Sequence, residues 1–172
     1  MFDPLFLSPI LNLYSEYDIF FIYEKKPKDE RKVGIMSETF NAKLIAPCGM
    51  NCGICISFFG YTLNDKKRKH PCISCRSRDK QCAFLKKQCD NLATKQIEFC
   101  FECTGFPCEN LKTLDKRYRT KYGMSMIENL KYIQTNGIEQ FLKNEQKRWK
   151  CPTCGGIICV HNKTCYACKR AR

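Results

Sequence analysis

Apolar side chains recur at helical spacing through the segment 109–149, which otherwise carries many charged residues. Leu111, Leu114 and Tyr118 are three or four residues apart, so one helix over 109–122 would bring them onto a single face. The other faces of this helix carry lysine and arginine. The pattern predicts a surface helix with one buried side.

A second and a third helix are predicted further along the same segment. Ser125 and Glu128 have the spacing of a capping box at the start of a helix over 125–134. The Asn136-Gly137 pair ends that helix, and apolar residues recur again over 138–149. Two consecutive helices joined at a glycine indicate an antiparallel helical hairpin.

Elsewhere the apolar runs are short and interrupted by cysteine. Ile54, Ile56 and Phe58 favour the start of a helix, and the run Ile157 to Val160 favours a short strand. Residues 1–36 contain no cysteine and carry nearly balanced charge. They are either an N-terminal strand or helix docked on the core, or an extension upstream of a functional start at Met36.

Cysteine dominates the middle of the chain. Of 15 cysteines, ten lie within residues 46–108: Cys48, Cys52, Cys55, Cys72, Cys75, Cys82, Cys89, Cys100, Cys103 and Cys108. Neither a secretory signal nor an apolar run long enough for a membrane span is present, so we expect a cytoplasmic protein with no membrane partner and with reduced thiols. The odd cysteine count also disfavours disulfides. These thiols are therefore predicted to bind metal.

The spacing of the central thiols allows more than one pairing. Cys52, Cys55, Cys72 and Cys75 have the spacing of a four-cysteine zinc site. The cluster at 100–108 could form a second site with Cys82 or Cys89. The ligands of the two sites can also exchange, because further thiols lie close in sequence.

The most specific pattern lies near the C-terminus. Cys151, Cys154, Cys165 and Cys168 form two Cys-x-x-Cys pairs, which is the arrangement of a zinc ribbon. Cys159 and His161 lie between the pairs as extra donors, and His161 is expected at the surface rather than on a metal.

Together these patterns predict a small α+β, loop-rich, metal-stapled protein with cysteine knuckles, helices and a C-terminal zinc-ribbon-like hairpin. We expect four parts: an N-terminal extension, a cysteine-rich metal-binding module, a helical segment with a helical hairpin, and the ribbon-like segment. Their limits are 1–36, 46–108, 109–149 and 150–172. Small domains with a thin apolar core commonly depend on such metal staples.

The charge balance points to a partner. The formal net charge is +13, and three zinc ions each held by four thiolates would reduce it to about +7. A basic protein suits nucleic acid or an acidic protein. The predicted function is therefore a structural protein with two to four zinc ions that acts by binding a macromolecule.

Two other functions use the same residues. Cys48, Cys52, Cys55 and one further cysteine could hold a 4Fe–4S cluster in a redox protein. An enzyme with a reactive thiol or an open metal site is less favoured, because the chain has only two histidines and no residue stands out as catalytic.

The order of the cysteine motifs resembles a known family. The run APCGMNCGIC, then CISC, then FCFECTGFPCENL resembles the cysteine-rich, prokaryotic domain-of-unknown-function family 3795, over about residues 46–111. The helices and the CGGIICVHNKTCYAC tail resemble longer members. The resemblance implies a metal-binding domain, most simply a zinc-binding one, and assigns no catalytic residue.

Overall fold

The computed structural model describes residues 40–78 and 88–171, which all lie in the compact unit Val33–Arg172. The N-terminal extension predicted over 1–36 and the thiol of Cys82 lie outside the described residues. Four α-helices occur in the described part of the chain: α1 (Cys75–Arg78), α2 (Asp90–Ala93), α3 (Glu109–Tyr122) and α4 (Met126–Arg148). Short 3₁₀ turns precede or separate them.

Helix α3 begins and ends where the sequence predicted. Leu111 is fully buried, and Leu114 and Tyr118 pack against the core beside it. Gly123 caps the C-terminus in the left-handed conformation, and its N–H donates to the carbonyl groups of the last turn. The predicted amphipathic helix is therefore confirmed.

Helix α4 contains both predicted helices. The Ser125 hydroxyl accepts a hydrogen bond from Glu128 N at 3.1 Å, which caps the first one. Gly137 has φ 79° and ψ 162°, so the helical path breaks there. The Tyr132 hydroxyl receives a 2.6 Å hydrogen bond from Asn144 Nδ2, so the second half of α4 folds back toward the first.

Two predicted elements are absent from the described residues. The apolar run after Cys52 forms a 3₁₀ turn at Cys52–Ile54 and then successive turns, not the start of an α-helix. Residues 157–160 form isolated β-bridges, Lys150 with Ile157 and Ile158 with Cys165, rather than a strand. In both places a cysteine knuckle bends the backbone before a regular element can extend.

One core joins the cysteine-rich module to the helices. Ala46 and Ile54 from the module pack with Leu111 and Leu130 from the helices in a single buried cluster. Asn129 on α4 donates to the carbonyl of Gly49 at 2.9 Å. The fold is thus small and helical with few strands, and its cysteine clusters lie on loops held by α3 and α4.

A second polar contact across this core involves a buried carboxylate. Asn51 Nδ2 donates to Glu145 Oε2 at 3.1 Å, and Asn51 Oδ1 accepts from Gly53 N. Burial raises the pKa of Glu145, and Asn51 and Arg148 act against that rise. Helix α4 therefore anchors the turn that carries Cys52.

No helix among residues 40–78 and 88–171 is long and apolar enough to cross a membrane.

Candidate metal centre

The four cysteines of the tail converge in space. The Sγ atoms of Cys151, Cys154, Cys165 and Cys168 all lie within 4.8 Å of one another. Cys151 and Cys165 are buried, Cys168 is half-buried and Cys154 is exposed. A group of four thiols at one point is a donor set that can hold a metal ion.

The two knuckles have the same backbone construction. Cys151 N donates to Gly156 O at 2.7 Å, and Gly155 N donates to Cys151 O at 2.9 Å. Cys165 N donates to Arg170 O at 2.9 Å, and Lys169 N donates to Cys165 O at 2.7 Å. Gly155 and Lys169, each four residues after the first cysteine of its pair, both have positive φ, at 74° and 58°. Each pair of thiols is therefore presented by an equivalent tight turn.

Gly156 lets the two knuckles approach closely. A Cβ atom at this position would lie 3.0 Å from the Cβ of Ala167, 3.2 Å from Cys165 Sγ and 3.3 Å from Cys154 Sγ. These distances are tighter than most real contacts of a Cβ atom. Only glycine fits here without displacing these neighbouring atoms, because it has no Cβ.

The sulfur spacing matches a single tetrahedral ion. Cys151 Sγ lies 3.8 Å from Cys168 Sγ, and Cys154 Sγ lies 3.5 Å from Cys165 Sγ. In a regular tetrahedron with metal–sulfur bonds of about 2.3 Å, the sulfurs are about 3.8 Å apart. The four sulfurs of the tail are therefore close enough together to hold a metal ion.

The local electrostatics of the tail shift the pKa values of Cys151 and Cys154 in opposite directions. The N–H groups of Cys154 and Thr153 point at the Cys151 sulfur and lower its pKa to about 6. The Gly156 N–H favours the Cys154 thiolate, but the sulfur of Cys165 and desolvation outweigh it, and the pKa of Cys154 rises to about 12. Four thiols this close oppose one another's ionisation, and a divalent cation among them removes that conflict.

The central thiols are arranged more loosely. Cys52 Sγ accepts a hydrogen bond from Cys75 N at 3.3 Å, so the first and second Cys-x-x-Cys pairs are neighbours in space. Burial, with smaller contributions from the neighbouring thiols of Cys52 and Cys72, raises the pKa of Cys55 to about 11. These pairs therefore adjoin, although within residues 40–78 and 88–171 the tail is the one tight group of three or more donors.

The remaining central cysteines have varied environments. Asn91 Nδ2 lies 3.5 Å from Cys103 Sγ in a side-chain hydrogen bond, and Cys89 immediately precedes α2. Cys48 and Cys100 are buried, whereas Cys108, just before α3, is exposed. With Cys82 outside the described residues, the pairing of this second group stays a prediction.

The two extra donors in the tail do not join the four thiols. Cys159 is fully buried, and its N–H donates to Thr164 O. His161 was expected at the surface rather than on a metal, and it is half-buried. Its Nδ1 accepts from Ile56 N at 3.3 Å, and its ring contacts Tyr118 and Tyr122 edge-on. Sequence offered no signal for this role, because the partners are distant along the chain.

Comparison with known protein families supports the resemblance that the cysteine motifs indicated. A family described as "Protein of unknown function (DUF3795)" matches residues 44–113. The chain resembles that family over this stretch. The resemblance to DUF3795 ends soon after α3 begins, so the tail centre lies beyond the matched residues. No curated protein and no solved structure matches the chain.

Proposed function

We propose that residues 150–172 form a structural zinc site in a zinc-ribbon-like hairpin, and that the protein acts by binding a macromolecule. The observation that carries this proposal is the convergence of four cysteine sulfurs within 4.8 Å. Tetrahedral coordination by four thiolates is typical of closed structural zinc sites, which contribute directly to folding. With no open position, such a site would stabilise structure rather than carry out a reaction.

We propose that the cysteine-rich module 46–108 holds further zinc, so that the whole chain binds two to four ions. The contact between Cys52 Sγ and Cys75 N supports a site shared by the first two Cys-x-x-Cys pairs. Metal ions here would add to the stability that a small apolar core provides, much as disulfides do in small secreted domains. The partner would be nucleic acid or an acidic protein, as the basic charge favours.

The deciding experiment is metal analysis with an absorption spectrum on protein purified without oxygen. We expect a colourless sample that contains zinc at two to four ions per chain. A brown sample with matching iron and sulfide would refute the zinc assignment and favour an iron–sulfur protein that uses Cys48, Cys52 and Cys55.

A matched pair of variants tests the tail separately. Cys154→Ser should lower the zinc content by about one ion per chain and make the tail sensitive to protease. Cys159→Ala removes a buried thiol of the same tail that lies outside the group of four. This variant should therefore retain the zinc content of the unaltered chain. Unchanged zinc in Cys154→Ser, or equal loss in both variants, would contradict the site.

A further inference from the structure

Two stretches of the chain contain lysine and arginine but no acidic residue. Residues 66–78 carry six basic side chains: Lys66, Lys67, Arg68, Lys69, Arg76 and Arg78. Residues 146–172 carry seven: Lys147, Arg148, Lys150, Lys163, Lys169, Arg170 and Arg172. The two stretches are far apart in sequence, so the sequence does not show whether their charges act together.

The fold brings these stretches together through a stack of three rings. The Tyr166 ring lies 4.9 Å from the Phe59 ring and 4.6 Å from the Tyr61 ring, centre to centre, and stacks on both. The Tyr166 hydroxyl lies 3.5 Å from Asp65 Oδ1, directly before the run that starts at Lys66. The second tail knuckle therefore packs on the small hairpin that carries the basic loop.

Backbone contacts fix this arrangement. Val160 N donates to Ile54 O at 2.9 Å, and Ile56 N donates to the ring of His161 at 3.3 Å. Both contacts join the tail to the segment 54–56, which leads into the hairpin that carries the basic loop. The position of the tail beside the loop is thus determined by directional hydrogen bonds as well as by ring stacking.

The loop lysines are available to a ligand. Lys66, Lys67 and Lys69 are exposed, and none forms an ion pair with another described residue. A zinc ion bound by four thiolates would bring about −2 to the tail, which is less than the six basic residues of 146–170 supply. The joined surface stays strongly positive with metal bound.

We propose that this surface, the loop 66–78 together with the tail 146–170, binds the phosphate backbone of nucleic acid. The proposal rests on the proposed function, because the tail must be folded, and it names the class of partner. Nucleic acid fits better than an acidic protein because Tyr61 is half-exposed beside the lysines, with Leu63 exposed in the same hairpin. Bases offer rings for such contacts between the phosphates.

The test is binding of the zinc-loaded full chain to short labelled oligonucleotides, one single-stranded and one duplex, measured by fluorescence anisotropy against salt. Each phosphate contact contributes about −0.7 to the salt slope for a single strand and about −0.9 for a duplex. The triple variant K66Q/K67Q/K69Q should therefore bind about tenfold or more weakly at physiological salt, with the slope reduced by about 2 for the single strand and about 3 for the duplex. The strand form that binds more tightly identifies the preferred ligand.

A charge-matched control is K116Q/K131Q/K143Q, which removes three exposed lysines from α3 and α4. It should keep most of the affinity and the slope of the unaltered chain. Equal weakening in both variants would overturn the inference, since it would show an effect of net charge alone. Equally tight binding of polyglutamate would overturn it in favour of an acidic protein.

Zinc content measured on the same samples separates this inference from the proposed function. Zinc-loaded protein that binds neither oligonucleotide overturns nucleic-acid recognition and leaves the structural site in place. If the tail of the unaltered chain holds no zinc, the structural zinc site is refuted, whatever the result of the binding measurement.

Discussion

The ring of His161 accepts a hydrogen bond at Nδ1 from the backbone N–H of Ile56, 3.3 Å away and 105 residues earlier in the chain. Since Nδ1 accepts, the neutral ring carries its proton on Nε2, which lies 3.2 Å from the Tyr118 hydroxyl and donates to it. One histidine therefore links the tail, the cysteine-rich module and α3. Burial lowers the pKa of His161 to about 4, and the charge of Lys163 adds to the effect.

This pKa predicts how the His161 ring responds to pH. Between its ordinary value of 6.5 and about 4, the unfolded chain binds a proton at this histidine and the folded chain does not. The contribution of His161 to stability should therefore fall as the pH is lowered through that window. Nitrogen NMR of the ring should show a neutral Nε2–H form still present at about pH 5.5. A ring that becomes protonated near 6.5 would contradict this arrangement.

Replacement of the same residue tests its structural role. His161→Ala leaves the Ile56 N–H without its partner and removes the ring contacts with Tyr118 and Tyr122. The expected loss in free energy of unfolding is about 1–3 kcal/mol, measured by urea denaturation at neutral pH. His70→Ala, at the exposed second histidine of the chain, is the control and should change stability by less than about 0.5 kcal/mol.

Gly156→Ala tests the close approach of the knuckles. The added methyl group would lie 3.2 Å from Cys165 Sγ and 3.3 Å from Cys154 Sγ, so these sulfurs must shift by a few tenths of an ångström. We expect weaker zinc retention in competition with a chelator, by at least about tenfold, since metal sites are sensitive to ligand geometry. Gly105→Ala meets only an ordinary contact at 4.0 Å and should retain zinc like the unaltered chain. Equal retention in both variants would argue against a tightly packed site.

Asp115→Asn tests the junction between α3 and α4. Asp115 Oδ1 accepts from the Ser125 hydroxyl at 2.7 Å and from Ile127 N at 3.0 Å, while Oδ2 pairs with Arg119 at 2.7 Å. The side chain is only 3% exposed, so the variant should lose about 1–3 kcal/mol in urea denaturation. Glu109→Gln, at an exposed position on the same helix, is the control and should change little.

The contribution of ionised Asp115 to stability should also depend on pH. Desolvation acts to raise its pKa, but the Ile127 N–H, the Ser125 hydroxyl and Arg119 outweigh it, and the pKa lies below the ordinary 3.8. Its stabilising effect is therefore present above about pH 3.8 and is lost as the pH falls through the lower folded value. The gap in stability between the unaltered chain and Asp115→Asn should narrow in that acidic range.

Removal of metal should be visible through Trp149, the single tryptophan of the chain. Trp149 is the C-cap residue that directly follows α4, and it is 2% exposed. Its carbonyl accepts a hydrogen bond from Ile158 N in the tail. A chelator should loosen the tail, expose the indole and shift its fluorescence to longer wavelength. Cys154→Ser should show the shifted spectrum without chelator. An unshifted spectrum in the zinc-free protein would contradict a tail that folds on metal.

The sequence determined the local elements, because each depends on residues close together in the chain. The apolar spacing from Leu111 placed α3, and the Ser125 cap with the Gly137 break placed the two halves of α4. The paired spacing of the tail cysteines predicted that these thiols would meet. Sequence failed at Ile54–Phe58 and at residues 157–160, because apolar periodicity in runs this short cannot distinguish regular elements from the turns of a knuckle.

Only the tertiary structure decided what depends on contacts between distant segments. It placed His161 against Ile56 and Tyr118, paired Asn51 with Glu145, and stacked Tyr166 on the hairpin that precedes Lys66. None of these pairs has a spacing that a sequence pattern can reveal, since each arises when the core around α3 and α4 closes over the cysteine-rich loops. The joining of the two basic stretches follows from the same closure.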